Sequence, residues 1–313
     1  MLRTLAYGIL MAGIMLTAAG TEPGDEPPEL VRVGALGPLP FSYDLYTFRG
    51  EGSATTVVAS FAVPVRELQR DSQDGQQRYR FDVSFVLTDT ARQSVQRSDD
   101  SVFVGTPRAL DGDHLLHTWV QIDADPSEDT QQRVIMTDAG RPGVGQMYQS
   151  PFPIPDYSGS ALMLSDLALG FPDDAHGWQR GGASLALLPS DQFPESAFDV
   201  YYEIYNLPPS HDYTTEVSIE SLDGPDARDD ERTPPVRTVF SGRAGAETDG
   251  TTVELRSVES ALPRGAYELT VTVRDEQSGE VATRSRRFQV QGWRAGTTLV
   301  PALPRRTEGS RGY

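Results

Sequence analysis

The chain has 313 residues and a formal net charge of −18, with no cysteine, and all 27 of its basic residues are arginine. The missing cysteine excludes disulfides, thiolate metal sites and a thiol nucleophile. The acidic balance argues against nucleic acid as a partner and against broad adhesion to anionic lipid, while the length suffices for two domains with separate cores.

Met1 to Gly20 carries one early charge, Arg3, ahead of a 15-residue uncharged run from Leu5 to Ala19. Leu5, Ile9, Leu10, Ile14 and Leu16 supply the apolar surface of this expected membrane anchor. Positive charge before it, and Glu22, Asp25, Glu26 and Glu29 after it, set the N-terminus in the cytoplasm and the bulk of the chain outside. The run makes roughly 22 Å of helix against a hydrocarbon core of about 30 Å, which suits a signal peptide cleaved at Thr17-Ala18-Ala19. With Met1, Leu2 and Thr4 counted and Arg3 snorkelling, the helix reaches about 18–20 residues and just spans. The expectation is an uncleaved signal-anchor helix over 1–20 at the periplasmic face of the inner membrane. The alternative is a soluble periplasmic protein after cleavage. A lipoprotein signal is excluded, because no cysteine can carry the lipid.

Residues 21–40 hold five prolines and read as a linker. Strand signals then crowd together. Thr55 to Val63 alternates and stops at Pro64, and Tyr79 to Leu87 sets Tyr79, Phe81, Val83, Phe85 and Leu87 on one face. Ser101–Gly105, Leu115–Ile122 and Arg133–Met136 complete a β-sandwich over residues 41–150. Three alternating prolines make 151–160 an extended connector.

A second sandwich is expected over 161–291. Leu162 to Leu169 reads as one strand. In Phe198 to Leu207, Phe198, Val200, Tyr202 and Ile204 form the buried face, and Asp199, Tyr201, Glu203 and Tyr205 the open one. Leu222 to Pro235, with Asp223, Asp226, Asp229, Asp230 and Glu231, is a solvated loop. Gly265-Ala-Tyr267 followed by Leu269, Val271 and Val273 resembles the tyrosine-corner region of immunoglobulin-like folds, which gives Tyr267 a structural hydroxyl. The expected fold class is all-β: two immunoglobulin-like β-sandwich domains in tandem after an N-terminal hydrophobic helix.

Residues 292–313 differ in kind. Arg294, Arg305, Arg306 and Arg311 face a single acid, Glu308, on an otherwise acidic protein. Trp293, Leu299, Leu303 and Tyr313 add apolar surface, so Trp293, Leu299, Leu303, Arg305, Arg306 and Tyr313 are the candidate partner-binding residues. The bland alternative is a frayed terminus.

The Leu164-Ser-Asp-Leu-Ala-Leu169 segment followed by Val200-Tyr-Tyr-Glu-Ile-Tyr-Asn-Leu207 resembles the bacterial GWxTD family of secreted β-sandwich proteins. That resemblance implies a periplasmic β-sandwich and no defined chemistry. The Gly-Trp pairs at 177–178 and 292–293 lack the following Thr-Asp, so nothing attached to the namesake motif is carried over. The layout of anchor, stiff spacers and tail is also similar to the membrane-extrinsic subunit of double-ring reaction-centre–light-harvesting photosystems.

Signals for catalysis are weak. His114 and His117 lie three apart, and on one strand they point to opposite faces, so one metal cannot take both. His176 and His211 read as solvated loop histidines. Asp123, Asp125 and Asp129 alternate as in a calcium loop, but Glu128 stands where glycine is needed and Val134 where the bidentate acid is needed; Asp111 and Asp113 sit in a separate turn. Met136-Thr-Asp-Ala-Gly140 has no second copy to share a proton with. Trp119 reads as core, and Trp178 as an exposed aromatic able to stack on a sugar.

The reading is therefore a non-catalytic, membrane-anchored periplasmic subunit without cofactor or metal. Its partners would be integral membrane subunits of a larger complex, and nucleic acid would not be among them. The alternative is an envelope carbohydrate- or peptide-binding module.

Overall fold

Alternating apolar residues separated by short polar turns make strands, and the computed structural model is built of them. It describes residues 29–30, 37–91, 93–191, 193–194, 197–222, 235–245, 250–259, 262–291 and 300–301. The expected anchor residues (Leu5, Ile9, Leu10, Ile14, Leu16), most of the acidic loop 223–234 and the six candidate tail residues lie outside the described residues. Among the described residues no helix is long and apolar enough to cross a membrane.

In chain order the strands of the first half are β1 (Glu29–Leu30), β2 (Ser42–Arg49), β3 (Thr55–Pro64), β4 (Asp71–Gln73), β5 (Gln76–Asp89), β6 (Ser94–Thr106), β7 (Leu115–Ala124), β8 (Thr130–Asp138) and β9 (Gly145–Pro151). The second half has β10 (Met163–Leu164), β11 (Ala168–Pro172), β12 (Trp178–Arg180), β13 (Ala183–Leu187), β14 (Phe193–Pro194) and β15 (Phe198–Tyr205). It continues with β16 (Asp212–Ser221), β17 (Val236–Arg243), β18 (Thr251–Val258), β19 (Gly265–Asp275), β20 (Val281–Gln291) and β21 (Val300–Pro301).

These strands form four sheets. The N-terminal outer sheet runs β1-β9-β8-β5-β4, with β6 also on β5, and the N-terminal inner sheet runs β2-β3-β7-β21. The C-terminal inner sheet runs β10-β15-β11-β13-β12, with β18 on the other edge of β15, and the C-terminal outer sheet runs β14-β20-β19-β16-β17. Tyr79, Phe81, Val83, Phe85 and Leu87 of β5 pack on Val57, Ala59, Phe61 and Val63 of β3, as the alternation predicts. A second core joins Phe198, Val200, Tyr202 and Ile204 of β15 to Leu269, Val271 and Val273 of β19.

A third cluster changes the picture. Tyr46, Phe48 and Val58 of the N-terminal inner sheet meet Ala168, Trp178, Leu185, Leu187 and Tyr201 of the C-terminal inner sheet. The two inner sheets thus pack outer face to outer face, and the sheets stack four deep. The strand expected to bury one face buries both: all eight residues of β15 are buried. Asp199, Tyr201, Glu203 and Tyr205 face the seam between the two pairs rather than water.

The Leu162–Leu169 run is not one strand either. Leu164 pairs with Ile204 but Ala168 with Tyr201, a register slip of one residue that defines a bulge at Ser165–Leu167. The bulge is what lets Leu162, Leu164, Leu167 and Leu169 all enter one core despite their mixed spacing. It also frees polar groups for use elsewhere. The Ser165 hydroxyl accepts from the Glu203 N–H (2.9 Å), and the Asp166 N–H donates to the Thr47 carbonyl (3.0 Å).

Candidate functional site

The seam holds the densest polar chemistry of the described residues. Glu203 projects from the middle of β15, which leaves its carboxylate 3 % exposed. Arg180, at the end of β12, meets it with two nitrogens, Nε to Oε1 at 2.6 Å and Nη2 to Oε2 at 3.0 Å. The Tyr201 hydroxyl donates to Oε1 and the Tyr205 hydroxyl to Oε2, both at 2.6 Å. Burial, reinforced by the Glu203 charge, pushes both phenols well above their ordinary pKa. Neither tyrosine can act as a base near neutral pH.

The N-terminal pair closes the cluster from the other side. Arg180 also donates to the Arg49 carbonyl (2.6 Å) and lies over the Phe48 ring, 4.9 Å from its centroid. The Arg49 N–H donates to the Tyr205 hydroxyl at 2.8 Å, and its guanidinium stacks on that ring at 4.3 Å. The Pro-rich connector is pinned here as well. The Tyr157 carbonyl accepts from Arg49 (2.9 and 3.1 Å), the Pro155 carbonyl accepts from the Thr55 hydroxyl (2.6 Å), and the Tyr157 ring packs on Tyr205.

A second ionic lock lies at one side of the stack. Asp166 accepts from both the N–H and the hydroxyl of Thr47 at 2.7 Å and binds Arg284 of β20. Asp44 accepts from the Ser190 N–H (2.8 Å) and from Arg286 (2.5 Å), whose guanidinium lies 4.1 Å over the Tyr46 ring. Burial works against the Arg286 charge, but Asp44 and Tyr46 outweigh it and hold the group above its ordinary pKa. Each of these carboxylates accepts from donors inside the protein, and the arrangement fixes the geometry of the seam.

Trp178 is the chief correction among the aromatic candidates. It is 1 % exposed, wedged between Phe48 (5.0 Å between centroids) and Tyr201 (5.2 Å, perpendicular), and cannot serve as a sugar platform. Gly181, with φ +55°, turns the β12–β13 hairpin that delivers it; a Cβ there would come within 2.6 Å of the Tyr201 hydroxyl. Trp119, expected in a sandwich core, stands opposite Ser60 on the outward face of β7 and packs on the seam cluster.

The remaining candidates are dispersed. His114 accompanies the Asp111 turn, whereas His117 is buried. His211 is not a plain solvated histidine: its Nδ1 lies 2.9 Å from Asp275. Nor is His176, whose Nδ1 is buried. Asp123 accepts from the Thr56 hydroxyl (2.5 Å), and no three acidic or histidine side chains among the described residues form a metal-binding group. Asp138 is spent on the N–H groups of Gln69 and Gly140 and on Arg141. Of the tail, Val300 and Pro301 are described: their backbone pairs in parallel with Leu116 and His117 of β7. A cleft of about 130 Å³ lies between Leu87, Asp89, Gln96, Asp125, Thr130 and Ile154, away from the seam.

Fold and seam together define an all-β protein made of stacked sheets. No protein family matches this chain, and no curated protein does. Among solved structures, a calcium-binding mutant of Bacteroides uniformis β-glucuronidase 2 is similar at 10 % identity and a TM-score of 0.27, over 79 % of this chain and 28 % of that one. Red sea bream transglutaminase is similar at 10 % identity and 0.22, over 80 % and 32 %. Escherichia coli α-2-macroglobulin activated by porcine elastase follows at 12 % and 0.23, over 78 % and 22 %. The chain spans no more than a third of these proteins, and likenesses this faint carry no argument about activity.

Proposed function

We propose that this chain is a non-catalytic structural subunit of the bacterial envelope, two immunoglobulin-like sandwiches joined as one stiff arm. Residues 1–20 tether the arm at the periplasmic face of the inner membrane, and the arm braces a multi-subunit membrane complex. Strand order supports the immunoglobulin-like reading. Each pair sets three strands (β2-β3-β7 and β11-β15-β18) against four (β9-β8-β5-β6 and β20-β19-β16-β17), with the same connectivity in both. The Tyr267 hydroxyl, at the start of β19, donates to the Pro263 carbonyl at 2.8 Å, the tie expected of a tyrosine corner.

The observation that carries the proposal is the seam itself. A tandem of sandwiches on a flexible linker needs no buried polar contacts between its halves. This chain commits the Arg286–Asp44 ion pair, and the bonds that Arg180, Tyr205 and Asp166 make to Arg49 and Thr47 of the N-terminal pair, to one fixed angle. A fixed angle serves spacing and bracing. The layout resembles that of the membrane-extrinsic subunit of double-ring reaction-centre–light-harvesting photosystems, and contact with such a complex would be through protein surface, since residues 1–20 hold no histidine to ligate a chlorin. The test is affinity purification of the tagged chain from gently solubilised membranes. Stoichiometric co-elution of integral membrane subunits supports the proposal, and recovery as a lone monomer overturns it.

A second reading, a peptide-binding module, is favoured by one feature. Among the described residues β18 pairs with β15 alone, and Val253 and Leu255 on it are 37 % and 42 % exposed. An edge of that kind can accept an added strand. Saturable binding of extended apolar peptides, abolished by a Leu255→Pro substitution, would favour this reading over the first.

A further inference from the structure

Within the seam a buried titratable nitrogen is left without a hydrogen bond. His117 projects from the outward face of β7, is 4 % exposed, and its Nε2 makes no hydrogen bond. Facing it is the turn from Asp173 to Trp178 that joins β11 to β12. That turn brings two charge-bearing groups to the histidine, Asp173 and His176, and the Nδ1 of His176 is likewise buried without a partner. Ala62 stands opposite His117 on β3, Pro301 of β21 pairs with its backbone, and β13, which also packs on β7, carries Ala183, Ser184, Leu185, Ala186 and Leu187. β6 packs on β7 as well and carries Arg97, Asp99 and Asp100, of which Asp100 accepts from the hydroxyl of Thr118, the next residue on β7, whose side chain alternates to the opposite face from His117. The same short turn ends in Trp178, the residue wedged between Phe48 and Tyr201 at the centre of the seam.

We propose that the seam is an acid-sensitive joint: protonation of His117, against the Asp173–Trp178 turn, unseats Trp178 and parts the two sheet pairs while each pair stays folded. A cation placed on His117 has no acceptor at Nε2 and has His176 as its neighbour, so the closed seam disfavours it. Once the seam opens, water solvates the imidazolium and the penalty vanishes. Asp173 tempers the effect without cancelling it. Two of its potential acceptor contacts are directed to its own turn, where Oδ1 accepts from the N–H groups of Ala175 and His176, both at 3.1 Å.

The direction follows from linkage. Burial holds the imidazole down at about 4, from an ordinary 6.5, so the closed form binds the proton less readily than the open one. Closure is therefore fully favoured above pH 6.5 and loses ground as pH falls toward 4, by up to about 300-fold in the open–closed equilibrium. Each sheet pair keeps its own apolar core, Phe81 and Phe61 in one and Tyr202 and Val271 in the other, and neither core contains His117.

The absence of cysteine makes the test clean. Spin labels at Glu51→Cys and Glu280→Cys, exposed sites on the two pairs, report the distance between them by pulsed electron resonance on the full chain in detergent. A single narrow distance is expected at pH 7.5. A broadened, longer distribution is expected by pH 4.5, with far-UV circular dichroism unchanged. His117→Leu should keep the narrow distance at pH 4.5, and His176→Gln, which removes the neighbouring imidazole, should shift the opening to lower pH. An unchanged distribution down to pH 4.5 overturns the proposal. So does equal broadening in His117→Leu or, should that variant not fold, an unshifted midpoint in His176→Gln.

Discussion

Arg180 and Glu203 form a two-point ion pair, at 2.6 and 3.0 Å, in which the carboxylate is 3 % exposed. The pair sits where β12 folds over β15, and its arginine reaches on to Arg49 and Phe48 of the other sheet pair. It therefore couples the internal order of the C-terminal pair to the docking of the N-terminal one. Desolvating two charges is costly, and the cost is offset here by a full shell of donors around Glu203.

Removing one partner alone should expose that cost. Glu203→Ala strands Arg180 and leaves the Tyr201 and Tyr205 hydroxyls without their acceptor, which should destabilise the protein by about 3–5 kcal/mol. The double variant with Arg180→Met should lose less than the sum of the two single variants. Chemical denaturation of the four proteins checks this, and additive losses would mean that the pair is not coupled.

Trp178 should matter for the seam rather than for ligand binding. Trp178→Ala opens a cavity between Phe48 and Tyr201 and is expected to cost about 3–5 kcal/mol. Because the residue is inaccessible, soluble oligosaccharides should leave the intrinsic fluorescence of the wild-type protein unchanged. Calorimetry is expected to show a single unfolding transition splitting into two in the variant, as the pairs lose their shared contact.

How much of this was legible in the sequence depends on the face of each strand. Inward positions of β5 and β15 follow directly from period-two alternation, and the core clusters contain them. The opposite face of β15 is covered where its polar residues suggest water, because alternation reports that two faces differ and not what covers the second one. Asp199, Glu203 and two tyrosines look solvated, yet tyrosine hydroxyls are suited to burial beside a charge. A signal was present: Tyr201 and Tyr205 flank a lone Glu203, a spacing that lets both hydroxyls reach one carboxylate. Trp178 misled for a related reason. Asp-Asp-Ala-His-Gly before it reads as surface loop, and only the packing of two inner sheets, a contact between distant parts of the chain, buries its end. The bulge at Ser165–Leu167 was hinted at by leucines at 162, 164, 167 and 169, which no uninterrupted strand can place on one side.

A different acid response is expected at the far end of the C-terminal pair. Burial works against the Asp275 charge, but bonds from His211 and Ser278 and from the Gln277 and Ser278 N–H groups hold its carboxyl at about 2. A carboxyl lowered from its ordinary 3.8 contributes stability that is present above that value and fades as pH falls through 2. His211→Ala should therefore reduce thermal stability at pH 5 more than at pH 2, as followed by differential scanning calorimetry. An equal loss at both pH values would show that the pair carries no pH-linked stability. This window lies below that of His117, so the two responses separate in one titration.

The last expectation concerns the basic C-terminal segment. Val300 and Pro301 bring the chain back from the second sheet pair to β7 of the first, two paired residues beside His117. A contact so short adds little to folding, since ordering each backbone residue costs on the order of 1–2 kcal/mol. Deleting residues 296–313 should leave both cores intact and the melting temperature within a few degrees of wild type. Leu303, Arg305, Arg306 and Tyr313 are the sequence's candidates for engaging a membrane partner, so the same deletion should sharply reduce co-purification of its subunits, and a reversal of Arg305 and Arg306 to glutamate should do so without shortening the chain. Undiminished co-purification in both variants would move the interface to the sheet faces, where the exposed β18 edge is the first place to substitute.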